Sequence, residues 1–403
     1  MRAQTADAHE SVTRSTDRRR LRILISLLYY FPHRTGLTIH VQRVAEELVR
    51  RGHEVTVLTA RYRSDLPRDD VHEHEGVRIV RLWAPVRISR GMVMPAYPWA
   101  AWALMRRHDV VSIHTPMFET LLVAWLSRLT GTPVVVTHHG DLVLPPGLFN
   151  RVIRGVMFAM FRAVASRAGR LIGYSEDAAA HSYYLRPFAS KVSVVSPPIL
   201  MPAPDPVRVQ ALRAAWSRDG GPIIGFAGRF VREKRPDLLI EALSVVHQRY
   251  PGARIVFAGE YDIRYEDTWR RHRDLVARYR EHLVFLGVRT EPADMADFYA
   301  ACDVVALTSD TECFALVQVE AMLCGTPVVM TDVPGGRVPV TVTGMGRLAE
   351  AGNAESIGRA IVEVIDRREA FVRPRAEIEA HFSFQTTVDA YERIFYESLA
   401  ERG

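Results

Sequence analysis

Short apolar runs alternate with amphipathic stretches twice along this chain of 403 residues. Five prolines in ten residues, Pro197-Pro198-Ile199-Leu200-Met201-Pro202-Ala203-Pro204-Asp205-Pro206, separate the two series. Apolar strands joined by helices pack as a mostly parallel sheet with crossovers of one hand. The proline run fits neither helix nor central strand and reads as a linker. Before it, strands are predicted over 23–29, 54–59, 77–82, 110–114, 133–138, 171–174 and 192–195. Val41, Val44, Ala45 and Leu48 make a helical stripe over 40–51, and Gly52 stands where a C-cap belongs. After the linker the pattern restarts, with strands over 223–227, 253–258, 284–286, 304–307 and 327–331 and helices over 236–249, 296–301 and 315–324. The last twenty residues carry one more amphipathic helix. The fold class is α/β, with an expected leader at 1–20, a first unit at 21–196, the linker at 197–206, a second unit at 207–383 and a final helix at 384–403. Open parallel sheets bind ligands beyond the carboxyl ends of their strands, so the cleft between the units is the expected site.

With 48% hydrophobic residues and only three cysteines, the chain is neither disordered throughout nor a disulfide scaffold. Cys302, Cys313 and Cys324 form no C-x-x-C pair, and a reduced, cytoplasmic setting is expected, with no metal site. Residues 1–20 are polar, without periodicity, and are expected to be disordered. Arg18-Arg19-Arg20 before the apolar 21–31 has the outline of a signal peptide, but no small-residue cleavage site follows and a buried first strand explains the run better. No uninterrupted apolar stretch is long enough to span a bilayer.

Two segments carry chemistry. In TECFALVQVEAMLCGTPVV (311–329), Glu312 lies in a loop and Glu320 inside an almost wholly apolar helix, where a carboxylate needs a partner. A ligand's vicinal hydroxyls would serve, and the free N–H groups around Phe314, Ala315 and Leu316 would hold an anion. Equally, Glu312 could cap the helix and Glu320 pair with an arginine. In GFAGRFVREKRP (225–236), a strand runs into Gly228-Arg229, with Lys234 five residues on. Close backbone approach and two cations suit a diphosphate, while Arg232 and Arg235 also read as a solvated charged loop. Lys191 and Lys234 are the only lysines among 52 basic residues, so at Lys234 a compact point charge is singled out. In the first unit, Thr35-Gly36-Leu37 precedes a helix, and His138-His139-Gly140-Asp141 follows a strand end. His72, His74 and His114 read as surface and core features. No D-x-D offers ligands for a metal-bridged diphosphate.

Charge divides the chain. Residues 1–200 hold 27 basic and 16 acidic residues (+11); residues 201–403 hold 25 and 30 (−5). The basic half has no aromatic-interleaved stripe and does not read as nucleic-acid binding. The stretch 151–170, with five arginines among apolar residues, reads either as an ordinary helix or as a membrane-surface one.

RGH-EVTVLT, the GR-x4-K of Gly228-Arg229 to Lys234, the E-x7-E of Glu312 to Glu320, and EAMLCGTPVV together resemble glycosyltransferase family 4 over about 21–400. The resemblance implies a GT-B fold, two Rossmann-like domains with parallel sheets facing across a cleft, and a retaining, sugar-nucleotide-dependent enzyme. It implies that Arg229 and Lys234 hold the donor diphosphate, Glu312 the transferred sugar, Glu320 the ribose diol, and that His139 approaches the reacting sugar. Gly36, Gly228, Phe314, Ala315 and Leu316 complete the expected donor site. No metal or cofactor is expected, since the two cations do that work. Partners would be the nucleotide sugar and a sugar, lipid-linked or anionic acceptor, at the cytoplasmic face of an anionic membrane or in the cytoplasm. Three positions depart from the family: Thr35 replaces the first Gly of a pair, Ala315 a Gly, and Gly335-Gly336-Arg337-Val338-Pro339-Val340 lacks the usual acid. A front-face retention is expected, because no carboxylate of the first unit stands out as a nucleophile. The alternatives are a sugar-nucleotide epimerase of the same fold, which needs extra acid–base carboxylates, and a non-catalytic basic membrane-surface protein. A phosphorylase is disfavoured because neither lysine suits a pyridoxal group.

Overall fold

A computed structural model describes residues 19–67, 72–88, 91–142, 147–263 and 267–401. Most of the expected leader, 1–18, lies outside them. The first unit runs β1 (Arg22–Ser26), α1 (Gly36–Arg50), β2 (Glu54–Arg61), β3 (His72–His74), β4 (Val77–Trp83), β5 (Val86–Ile88), β6 (Gly91–Val93), α2 (Tyr97–Met105), β7 (Val110–Thr115), α3 (Thr120–Thr130), β8 (Val134–His138), α4 (Leu148–Arg167), β9 (Arg170–Gly173), α5 (Glu176–His181) and β10 (Val192–Val194). Its eight-stranded sheet has the order β10-β9-β8-β7-β1-β2-β4-β3, with only β3 antiparallel. The inner strands are buried along their length, as in VVVTH of β8, because helices cover both faces. Beneath one face lie α2, α3 and α4, packed through Ala101, Met105, Val123, Leu126, Phe161 and Val164. On the other, α1 packs through Val41, Val44 and Leu48.

The second unit runs α6 (Pro206–Trp216), β11 (Ile223–Ala227), α7 (Pro236–Arg249), β12 (Arg254–Ala258), α8 (Thr268–Arg271), α9 (Arg273–Arg278), β13 (Leu283–Gly287), α10 (Pro292–Ala301), β14 (Val304–Leu307), α11 (Leu316–Leu323), β15 (Val328–Thr331), α12 (Val338–Thr343), β16 (Gly346–Ala349), α13 (Ala354–Asp366), α14 (Arg368–Phe371) and α15 (Arg375–His381). Its six strands, all parallel, have the order β13-β12-β11-β14-β15-β16. The last helix, α16 (Phe384–Ala400), returns to the first unit and buries Val388, Tyr391, Ile394 and Phe395 in the same core as β1 and α1.

Two expectations shift. The first helix begins at Gly36, because Thr35 caps it and Thr38 caps back. The proline run is not a solvated spacer: Ile199 and Met201 are buried in the second core, Arg43 donates to the carbonyls of Pro198 and Leu200 (both 3.0 Å), and Arg375 donates to that of Met201 (2.6 Å). Pro206 already belongs to α6, whose N-cap Asp205 accepts from Val207 N–H at 2.9 Å.

Candidate active site

The two sheets present their carboxyl ends to each other, and the first turns of α1 and α11 meet there. A Cβ built on Gly36 would lie 3.5 Å from Leu316 Cδ1, and one on Gly140 would lie 3.7 Å from Cys313 Cβ. First-turn N–H groups have no partner within their own helix, so both helices offer donors at this edge. Ala315, the N-cap of α11, sits in left-handed backbone (φ 58°, ψ 77°). A side chain there costs about 1–2 kcal/mol, which explains why glycine is usual at this place in the resembled family. Phe314 is 1% exposed, its ring packed near Tyr174 and Phe382, so only its backbone faces a ligand.

Lys234, Glu312, Glu320 and Arg235 of the second unit are each held by an oppositely charged side chain. Lys234 Nζ donates to Glu312 Oε1, which also accepts from Ser309 Oγ at 2.8 Å. Glu312 therefore does not cap α11; it stands against Lys234 at the mouth of the site. Below it, Gly335 packs so closely on Glu312 and Cys313 that a Cβ would come within 2.6 Å of the Cys313 carbonyl oxygen, and its φ of +76° favours glycine as well. Glu320 Oε2 accepts from Tyr299 Oη at 3.0 Å, and Oε1 lies 3.7 Å from the Arg43 guanidinium, which reaches across from α1. Burial pulls Arg43 below its ordinary value, and Glu320 partly restores it. The arginine pairing expected for Glu320 is thus present, with Glu320 still 15% exposed. Arg229 stands close enough to His33, in the loop after β1, to help burial hold that imidazole below its usual range. The Gly228 N–H donates to Ala258 O at 2.9 Å, so this residue brings its Cα rather than a donor. Of the two flanking arginines, Arg232 is exposed and Arg235 is held by Asp237 and Asp310.

The first unit contributes a different device. His139 Nε2 is hydrogen-bonded to His114 Nδ1 (2.8 Å), and His114 Nε2 to Ser112 Oγ (3.3 Å). His139 Nδ1 is bonded to Tyr174 Oη, which lies 3.2 Å from His40 Nδ1; His40 Nε2 meets Tyr391 Oη at 2.8 Å, and that hydroxyl meets Thr137 Oγ1 at 3.2 Å. The result is one unbroken chain, Ser112–His114–His139–Tyr174–His40–Tyr391–Thr137. Each neutral imidazole has one N–H and one bare nitrogen, and each hydroxyl donates once, so the whole chain is satisfied in either of two opposite proton orders. Burial holds His40 and His139 well below the usual imidazole range and takes His114 down to about 3. Both ring nitrogens of His139 are therefore engaged, and a sugar hydroxyl must displace Tyr174 or His114 to reach them.

Sequence patterns miss His40, Tyr174 and Tyr391; His114 is the core residue they suggest, 2% exposed, but its place in this hydrogen-bonded chain is not legible there. They also miss Glu119, just beyond β7, which is 9% exposed, leaves Oε2 without a partner and is pushed by burial up to about 7. Asp141 is committed: it accepts from His138 Nε2 (2.8 Å), Ser182 Oγ (2.5 Å) and Tyr183 N–H (2.6 Å). The departure at 335–340 also finds its place. Arg337 and the Gly335 N–H bind Asp177 on the first unit, with Nε at 2.9 Å and the second guanidinium nitrogen at 2.7 Å. Among the described residues, no helix is long and apolar enough to cross a membrane.

Comparison with known proteins agrees with this architecture. Residues 35–198 match the family described as glycosyl transferase 4-like domain, and 210–379 that described as glycosyl transferases group 1. The D-inositol 3-phosphate glycosyltransferase of Mycolicibacterium smegmatis is 30% identical over 382 residues, covering 88% of this chain and 84% of that protein. Its counterpart from Mycobacteroides abscessus is 29% identical over 394 residues, covering 91% and 85%. Anabaena HepE, solved in complex with UDP-glucose, superposes with a TM-score of 0.74 at 20% identity, over 95% of this chain and all of that one. With two family matches in tandem and a GT-B architecture, this chain belongs to the family 4-like glycosyltransferases and is a transferase.

Proposed function

We propose that the chain transfers a hexosyl group from a nucleoside-diphosphate sugar to a hydroxyl acceptor, with retention at the anomeric carbon and without a metal ion. The observation that carries this reading is the pairing of Lys234, in the loop after β11, with Glu312, in the loop after β14, at the carboxyl ends of neighbouring strands, with Arg229 in the same loop as Lys234 and Glu320 on the adjoining α11. As the bond from C1 to the leaving phosphate breaks, negative charge grows on the diphosphate. Lys234 and Arg229 would stabilise it, with Lys234 leaving Glu312 for the phosphate. Glu312, released, can accept from sugar hydroxyls, and Glu320 from a ribose diol. Retention follows if the acceptor enters on the leaving-group face and the departing phosphate oxygen takes its proton. Asp141 is committed elsewhere and Glu119 is buried, which favours this over a carboxylate nucleophile in the first unit.

The donor assignment draws support from HepE, which is solved in complex with UDP-glucose. The acceptor assignment draws on the inositol phosphate in the relatives' names. An anionic acceptor, or an anionic surface carrying one on the cytoplasmic side of a membrane, suits the +11 half. The test is a melting series with UDP, GDP and ADP, since specific binding stabilises with affinity. At least one should raise the melting temperature, and Lys234→Ala should abolish the rise; no shift with any of them overturns the donor site. A donor sugar epimerised when incubated without acceptor would overturn the transfer.

A further inference from the structure

Helices α2, α3 and α4 bury one side against the first sheet, yet their outer sides are apolar too. Trp99 is 72% exposed, Trp125 57%, Leu148 78% and Phe149 71%. The spacings make stripes: Trp99 and Trp102 on α2, Trp125 and Leu129 on α3, Leu148 and Val152 on α4 lie three or four residues apart, one outward face per helix. Because α2 packs on α3 and α3 on α4, the stripes adjoin. Outer faces of soluble helices are normally polar, and a contiguous apolar surface marks an interaction site.

Charge identifies the partner. The sequences of the three helices, YPWAAWALM, TLLVAWLSRLT and LFNRVIRGVMFAMFRAVASR, contain no Asp and no Glu. Arg128, Arg151 and Arg154 stand exposed among the apolar residues, and the Arg106 guanidinium lies 4.8 Å from the centre of the Trp102 ring. Tryptophan beside arginine, with acids excluded, suits a headgroup layer: the rings enter the acyl boundary and the guanidinium groups snorkel to phosphate. A second copy of the chain fits poorly, since a two-fold contact would set this arginine-rich face against itself.

We propose that the outer face of α2, α3 and α4 docks the enzyme on an anionic lipid surface. The protein lies on the bilayer without crossing it. α3 and α4 follow β7 and β8 at the carboxyl edge of the sheet, so docking brings the histidine wall of the cleft down to the headgroups. The inference rests on the proposed anionic acceptor only for its purpose; the binding is read without donor or acceptor.

The full-length chain is sedimented with vesicles of phosphatidylcholine, or of phosphatidylcholine mixed with an equal part of phosphatidylglycerol. It should pellet with the anionic vesicles and stay in solution with the neutral ones. Trp99→Ser combined with Trp125→Ser should lower partitioning by at least about tenfold, and Arg151→Gln with Arg154→Gln by about thirty-fold. Both variants should keep the wild-type melting profile. No preference for anionic vesicles, wild-type partitioning of both variants, or a dimer that dissociates in the tryptophan variant would each overturn the proposal. A nucleotide-induced melting shift that persists without vesicle binding leaves the transfer standing and removes only the docking.

Discussion

On the first unit's wall of the cleft, three histidines and two tyrosines are joined end to end by hydrogen bonds, with no charge among them. On the second unit's wall, Lys234 holds Glu312, and Glu320 stands between Tyr299 and the Arg43 that reaches over. Both arrangements satisfy polar groups away from water, but they differ in what a ligand can take. An ion pair gives up one partner for a phosphate or a diol at little net cost, since ligand atoms replace what is lost. A saturated neutral chain gives up nothing without leaving a buried nitrogen unpaired. On the proposed function, the charged wall exchanges partners with the donor and the neutral wall holds a shape against which the exchange occurs.

The sharpest way to break this contrast is Lys234→Ala. If the lysine moves from Glu312 to the leaving diphosphate, its loss should lower kcat/KM by about 10²- to 10³-fold, or about 3–4 kcal/mol of barrier. Activity within tenfold of wild type would mean that the Lys234–Glu312 pair is structural. Glu320→Gln comes next. The amide keeps a partner for Tyr299 but no charge for Arg43 or for a ribose diol. Nucleotide affinity, read by titration calorimetry, should fall by roughly ten- to a hundred-fold.

The neutral wall has its own signature in acid. An unfolded imidazole takes up its proton near 6.5, whereas burial keeps His114 neutral down to about 3. Between those values the unfolded chain holds the extra proton, so stability falls as pH drops below about 6.5. Each such histidine contributes at most about 1.4 kcal/mol per pH unit. Glu119 works the other way: the folded state keeps its proton up to about 7, against a usual 4.5, so its stabilising share fades as pH rises between them. The comparison must therefore be made against a variant. His114→Asn, followed by urea midpoints at pH 7 and at lower pH, should show a shallower acid loss than wild type; an equal slope would mean that the histidine chain is charged or open in the folded protein.

How legible each wall was in the sequence follows from the same difference. A carboxylate inside an apolar helix and a lysine in an arginine-rich chain conflict with their surroundings, so Glu320, Glu312 and Lys234 stood out locally. Nothing local marks His40, Tyr174 or Tyr391: they come from α1, the end of β9 and α16, and His40 and Tyr391 are 351 residues apart. Five strands of the second sheet, β11 to β15, were readable to within a residue or two, because burial leaves continuous apolar runs; the sixth, β16 (GRLA), is short, carries an arginine and gives no such run. Helix α2 gave no period. YPWAAWALM is apolar all round, since one side meets the sheet and the other carries the exposed tryptophans.

The smallest effect is expected where the two walls are tied directly. Asp177 on α5 binds the Arg337 guanidinium through two nitrogens and the Gly335 N–H through a third bond, and Arg337 in turn holds its carboxyl below the usual range. The side chains are 24% and 31% exposed, so solvent screens the pair and it is worth under about 1 kcal/mol. Asp177→Asn keeps an acceptor for Gly335 and loses the charge, so the melting temperature should barely move. If the two units open and close about this contact, the same fraction of a kilocalorie shifts their balance by up to about five-fold, and it should show in KM for the donor with kcat little changed. A KM equal to wild type would mean that the pair sits astride the cleft without governing it. A loss of several kcal/mol in stability would mean that the two walls fold as one body, and the division between an exchanging wall and a fixed one would then describe their chemistry but not their mechanics.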